Sequence, residues 1–350
     1  MRRDEAGAAG QPLHLTVPRT EGRARAINRG LARFRDLGLV VAIAAVAITT
    51  AVRSPQFATA ANLQRIMLDI SLLLLVATGQ TMVVLTRNID LSVGSVLGLS
   101  GIVVGFMLKS HPDMAVPAIL GLGAGLGLLA GAINGALVSW GRVPAVIATL
   151  GTLTVYRGLV FIFSGGQQVN PQDVPRQLLQ VARPGQLGLP PMVLMALLVA
   201  TAGWVVLRYT RTGRAMYAIG SNPDAARMRG LQAGRIVFLT YLISGALSGF
   251  AGVLYAARFA TVNPASAGTG FELQVIAATV IGGTSILGGR GGIPGTFLGA
   301  LLLGTIANAL AVSGVSGFWQ RAIEGAVILA AVAVDAVIRR QAARGVAGRA

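Results

Sequence analysis

Long apolar runs alternate with short polar breaks along this chain. In the first half the runs are Leu37–Val52, Ile66–Leu85, Leu91–Leu108, Met114–Leu137 and Val143–Phe163. In the second half they are Met192–Leu207, Ile236–Ala257, Leu273–Leu287, Ile293–Val312 and Phe318–Val337. Most approach the roughly 20 residues that cross a bilayer as a helix. Barrel strands would need only about 9–11 alternating residues, and in lipid only helices or closed barrels satisfy their backbone groups. The pattern therefore predicts an all-α integral membrane protein, a polytopic bundle of about ten transmembrane helices. The eighth run is short, and either crosses or re-enters. Residues 1–36 form an Arg-rich tail, 37–337 the membrane domain and 338–350 a second tail. The tail's basic stretch is too long for a secretory signal. Residues 164–191 carry Gly165-Gly166, Pro171, Pro175, Pro184 and Pro190-Pro191 and read as an irregular connection. Residues 208–235 hold the most organised polar sequence.

Composition supports this. Hydrophobic residues make up 54% and charged residues 12%, about half the usual charged share, and the mean hydropathy is +0.70. A soluble enzyme and a disordered chain are both excluded. The 47 glycines suit closely packed membrane helices. The net charge of +17 comes from 29 basic residues, all arginine except Lys109. They punctuate the apolar runs rather than gather on one soluble face, so nucleic acid is not the expected partner. With the N-terminus inside and ten spans, 21 basic residues fall on the inner side and seven on the outer. That bias places both termini in the cytoplasm. There is no cysteine, and His14 and His111 are far apart, so no metal site is expected.

Within 208–235, Ser221 or Asn222 can cap a helix, and Pro223 suits its first position. Asp224 falls in the first turn and Arg227 and Arg229 in the last, as the helix dipole favours. Gly230 can supply the left-handed stop. The result is a helix of about two turns, too short to stand alone. It is either an ordinary amphipathic loop helix or a docking element.

Four blocks resemble the ribose-type ABC transporter permeases, the membrane subunits of bacterial sugar importers. They are Gly79 to Ser95, Asn134 to Val138 continuing in Leu150 to Gly158, Gly213 to Gly252, and Thr279 to Gly295. The resemblance spans about residues 37–337 and implies the fold of an ABC importer permease. It implies that Ser221, Asn222, Pro223, Asp224, Ala225, Ala226, Arg227, Met228 and Gly230 form the coupling helix that docks into an ATPase subunit. It also implies a second permease subunit, identical or paralogous, a periplasmic solute-binding protein, surrounding membrane lipid and a bacterial plasma (inner) membrane location. The nearest substrates by resemblance are autoinducer-2, rhamnose, ribose and xylose, with a lean to the first two. Many relatives have Gly-Gly before Ile-Asp-Leu-Ser, where this chain has Arg87-Asn88.

The chain needs a separate motor on its own chemistry. A P-loop requires a Gly-Lys-Ser/Thr core, but Leu108 precedes the sole lysine, Lys109. No cofactor is expected here, so ATP and Mg belong to the partner. Candidate residues for the solute path are Gln80, Asp90, Ser92, Asn134, Thr149, Thr152, Thr279 and Asn308; the same groups could instead make interhelical hydrogen bonds. Asp90 can cap the third span or meet a polar solute. Gly288-Gly-Arg-Gly-Gly292 reads as a second copy of that arrangement. Gly123, Gly127, Gly131 and Gly135 form one smooth stripe, echoed by Gly245 and Gly249 and by Gly295 and Gly299, for packing or for sliding. Arg157 is expected to snorkel, Asp69 to be interfacial, and Arg321 to pair with Glu324. The alternative function is an ion-coupled secondary transporter acting alone, but no relay of buried acids is evident.

Overall fold

The computed structural model describes residues 20–185 and 188–330, except 324 and 328, with side chains from Arg35 onward. The helices are α1 (Thr20–Arg53), α2 (Ala60–Leu85), α3 (Val93–Ser110), α4 (Val116–Ser139), α5 (Ala145–Ser164), α6 (Arg176–Gln180), α7 (Pro191–Tyr209), α8 (Arg211–Ser221), α9 (Pro223–Met228), α10 (Ala233–Phe259), α11 (Phe271–Ile281) and α12 (Ile293–Val312). Among the described residues there is no strand, only an isolated bridge between Val169 and Val262. Eight of these helices are long and apolar enough to cross a membrane.

Several elements differ from the sequence expectation. The first helix starts at Thr20, well inside the stretch read as a tail; residues 1–19 and 331–350 lie outside the described residues. The eighth run becomes α11, which ends at Ile281 rather than Leu287. Eleven residues reach only about 16 Å, short of a roughly 30 Å hydrocarbon core. Gly282 and Gly283 end it, the latter at φ 82°. Residues 208–235 hold two helices, α8 and α9, where one was expected. The 164–191 connection contains α6 and a short 3-10 turn at Pro171–Asp173. The last expected span, Phe318–Val337, is helical over 318–323, 325–327 and 329–330 and otherwise lies outside the described residues, as does Glu324.

Helix α2 is the axis of the bundle. From Ile70 to Leu85 it is buried on every side and apolar on nearly every face, as such a helix must be, and α7, α10, α11 and α12 pack about it. The tightest seam joins α4 to α10. A methyl group at Gly127 would collide with Gly245 O, one at Gly131 with Tyr241 O, and one at Gly249 with Gly123 O. Gly135 faces Phe238 and Tyr241. The stripe thus meets Gly245 and Gly249 with no side chain between, so the backbones approach as closely as helices can. Gly295 and Gly299 repeat the device against Gly282 and Ala278.

Candidate functional site

The organised inner segment forms an exposed knob. Asn222 caps α9, its Oδ1 accepting from Asp224 N (3.1 Å) and Ala225 N (3.0 Å). Pro223 occupies the first turn without losing a bond. Gly230, at φ 78°, closes the helix; its N donates to Arg227 O, and Leu231 N donates to Ala226 O. Ala226 is buried beneath the knob, whereas Met228 is 84% exposed and the charged Asp224 and Arg227 pair on the surface. Ser221 does not cap this helix but ends α8. Helix α8 is short and mixes two glycines and two arginines with its apolar residues, so no long apolar run marks it; its buried face is Gly213, Ala215, Met216, Ile219 and Gly220.

The knob is tied to the membrane core by Arg87. Its Nε donates to Gly220 O (2.7 Å) and its Nη2 to Ser221 O (2.9 Å), the last carbonyls of α8. A cation belongs there, at the negative end of a helix. Arg87 adopts φ 67°, a conformation that costs any residue with a Cβ, so the two bonds offset local strain. Gly289 N also donates to Leu85 O (3.0 Å). Gly220 lies so close to Leu85 O and Gly289 that neither end tolerates a side chain. Three breaks in the chain therefore meet at one junction: the end of α2, the end of α8 and the glycine-rich turn before α12.

Immediately beyond Arg87, residues 88–92 enter a buried polar network. Asp90 Oδ1 accepts from Ser92 N (2.9 Å) and Ser92 Oγ (2.7 Å), and Oδ2 accepts from Ser244 Oγ (3.4 Å). Asn134 Nδ2 donates to Ser92 Oγ (2.7 Å), and Thr152 Oγ1 donates to Asn134 Oδ1 (2.6 Å). Thr149 Oγ1 and Tyr241 OH both reach Ile89 O, at 3.4 and 3.3 Å. The Gln80 amide, oriented to pair, accepts from Asp90 N (3.2 Å) and donates to Asp90 O (3.3 Å). Six of the expected path residues thus converge, but all are buried and joined to one another. In this conformation they bolt α2, α3, α4, α5 and α10 together and do not line an opening. Asp90 does not cap α3; it holds the N–H of Ser92, one residue before the helix.

The other two expected path residues lie apart. Thr279 bonds Val275 O inside α11. Asn308 exchanges two amide bonds with Asn62 (2.8 and 3.1 Å) at the opposite end of the bundle from α9. There it lines a cavity of about 340 Å³ together with Asp69, Tyr255, Phe259, Phe271 and Gln320. Asp69 is paired with Arg258 (3.0 Å). Arg157 does not snorkel: its Nη1 donates to Ala267 O (2.6 Å) in the loop before α11, through the space left by Gly98. Among the described residues, no cluster of His, Asp or Glu is arranged to hold a metal. Ser244, Tyr241 and the Arg87 contacts were missed in the sequence, since they join positions more than 100 residues apart and no local spacing encodes them.

Residues 62–332 match the family described as branched-chain amino acid transport system / permease component. The chain belongs to this permease family. The permease is 40% identical over 303 residues to the ribose import permease protein RbsC of Escherichia coli (strain K12), covering 85% of this chain and 92% of that one. It is 38% identical over 316 residues to the autoinducer 2 import system permease protein LsrC of Klebsiella pneumoniae, covering 90% of each. It is 37% identical over 314 residues to the LsrC of an Enterobacter species, again covering 90% of each. No solved structure matches the permease. It is a multi-pass membrane protein and a transport component of an ABC importer, without an ATPase site of its own.

Proposed function

We propose that this permease carries a sugar or sugar-like solute of the ribose and autoinducer-2 class inward across a bacterial inner membrane, with both termini in the cytoplasm. A periplasmic binding protein delivers the solute. A separate ATPase, which holds ATP and Mg, grips α9, and a second permease subunit completes the pair. The observation that carries this reading is the Arg87 junction. It gives the exposed knob a short, hydrogen-bonded route into the loop on which five helices converge. The 21-to-seven basic bias supports placing the α9 end in the cytoplasm. The ribose and autoinducer-2 names of the relatives support the solute class. Tyr255, Phe259 and Phe271, with Asp69, Asn308 and Gln320 beside them, offer the ring, carboxyl and amide contacts that a polyhydroxylated solute takes.

The test is reconstitution of the permease with its ATPase and binding protein, followed by a panel of pentoses, deoxyhexoses, autoinducer-2 and branched-chain amino acids. ATP-dependent accumulation of a sugar-like member is expected. It should be lost when Pro223, Asp224 and Ala225 are replaced together by glycine, while membrane insertion stays normal. Uphill uptake by the permease alone, driven by an ion gradient, would instead establish a secondary transporter.

A further inference from the structure

A second cavity, of about 450 Å³, opens at the α9 end between α7, α8 and α12. It shares the 288–292 turn with the Arg87 junction but includes neither Arg87 nor any residue of the Asp90 network. Trp204, Leu207 and Arg208 of α7 form one wall, Arg214 and Tyr217 of α8 the second, and the backbone from Gly291 to Pro294 the third. The lining holds two arginines and no acid. Among the described residues, neither Arg208 nor Arg214 forms an ion pair. Arg214 spends one N–H on Tyr209 O (3.2 Å), which leaves most of its guanidinium donors to face a ligand. The walls are fixed to each other, since Tyr217 OH donates to Gly291 O (2.9 Å). Two guanidinium groups on one concave surface recognise a phosphate by charge and by paired N–H donors.

What leads into the cavity indicates where that phosphate comes from. Leu194, Leu197, Thr201, Trp204 and Arg208 follow one another along α7 at three- and four-residue steps, so they share one face. All five are exposed. Along α7 towards Tyr209, this face offers two leucines, a threonine, an indole and then a guanidinium. A phospholipid presents matching chemistry in the same order: acyl chain, glycerol ester region, phosphate. Tryptophan and arginine are the residues that settle at the headgroup level of a bilayer, and basic pockets between helices on the cytoplasmic side take anionic headgroups.

We propose that this cavity binds the headgroup of an anionic glycerophospholipid. Arg208 and Arg214 hold the phosphate, Trp204 sits at the glycerol level, and an acyl chain lies along the exposed face of α7. Only the assignment of the leaflet rests on the transport reading above, which makes the α9 end cytoplasmic. The bound lipid braces the elbow between α7 and α8, and α8 carries the docking helix.

The experiment is native mass spectrometry of the permease released from micelles holding equal amounts of phosphatidylglycerol and phosphatidylcholine. Phosphatidylglycerol adducts are expected to dominate. Arg208→Gln with Arg214→Gln should weaken that preference by about thirtyfold, from about 1 kcal/mol per basic residue near anionic lipid. Arg227→Gln with Arg235→Gln, which removes equal charge outside the cavity, should keep the preference. So should Arg208→Lys with Arg214→Lys in large part, provided it elutes as the same monodisperse species, and this pair keeps the test valid if the glutamine pair fails to fold. Equal retention of the two lipids, or an unchanged preference in a folded Arg208→Gln/Arg214→Gln protein, overturns the proposal. Stripping of the lipid by millimolar inorganic phosphate would assign the arginines to a free anion and overturn it as well. The measurement needs no ATPase or solute. Lipid preference without ATP-driven uptake therefore refutes only the transport reading, and uptake without lipid preference refutes only this one.

Discussion

The α9 knob and the 88–92 loop are both short, polar and irregular, yet they are stabilised in opposite ways. Helix α9 is held by its own neighbours in sequence: the Asn222 cap, Pro223 and the Gly230 stop. Most of its surface stays bare, with Met228 at its exposed crown. The loop is held mainly by residues distant in sequence, Asn134, Ser244 and Tyr241, with Gln80 of the preceding helix completing the set. The hydrogen bonds of Asp90 and Ser92 at its centre are fully buried. The first is left open at the surface, and the second is enclosed among helices. Arg87 stands between them and ties the two together through Gly220 O and Ser221 O.

Substitutions can break that contrast in order of expected effect. Asp90→Ala removes the acceptor shared by Ser92 and Ser244 and leaves buried donors unpaired. A loss of about 3 kcal/mol is expected, read as a lower thermal midpoint and a lower folded yield in detergent. Asn134→Leu breaks the link between Ser92 and Thr152 and should cost about 2 kcal/mol by the same measurement. Asn222→Ala should cost about 1 kcal/mol, confined to α9; the global midpoint should hold while ATPase binding weakens about fivefold, measured by titration in nanodiscs.

Arg87→Gly sharpens the comparison most. Glycine relieves the left-handed strain while the two bonds to α8 are lost, so stability should change by less than about 1 kcal/mol. Transport should nevertheless fall relative to ATP hydrolysis, since the knob is uncoupled from the loop. A permease whose uptake per ATP is unchanged in this variant does not use Arg87 as its link. The smallest effect is expected at the far end of the bundle, where Lys109 pairs with Asp173 (3.2 Å). Burial pushes the Asp173 carboxyl up, but bonds from the Asn170 N–H and Lys109 outweigh this and hold it below its ordinary 3.8. A lowered acid contributes its stability above that ordinary value and loses it only as pH falls through the lowered one. Thermal midpoints of Asp173→Asn and the parent should therefore keep a constant difference, under about 1 kcal/mol, from neutral pH down to the ordinary carboxylate range.

Local physics was legible in the chain, and distant pairing was not. The apolar runs announced the long spans because lipid forces backbone bonds to close within each segment. The caps and stop of α9 were readable because they act over three or four residues. The glycine stripe predicted a seam, although not that its partner would be Gly245 and Gly249. The end of α11 at Ile281 was masked by Ile286-Leu287, which resumes the apolar pattern after the helix has stopped. Arg157 looked like a side chain reaching for water because its acceptor, Ala267 O, lies 110 residues away. Asp90 looked like a helix cap because its actual partners include Ser244, 154 residues distant.

Where Gly220, Leu85 and Gly289 touch, main chain meets main chain, and no side chain offers a handle for gradual change. Substitution can therefore do little to retune that contact without losing it. On the docking proposed above, the matching of this permease to its ATPase falls to the outer crown, at Met228, Arg227 and Asp224. Swapping those three residues between cousins should exchange their choice of motor and leave the cargo they recognise alone.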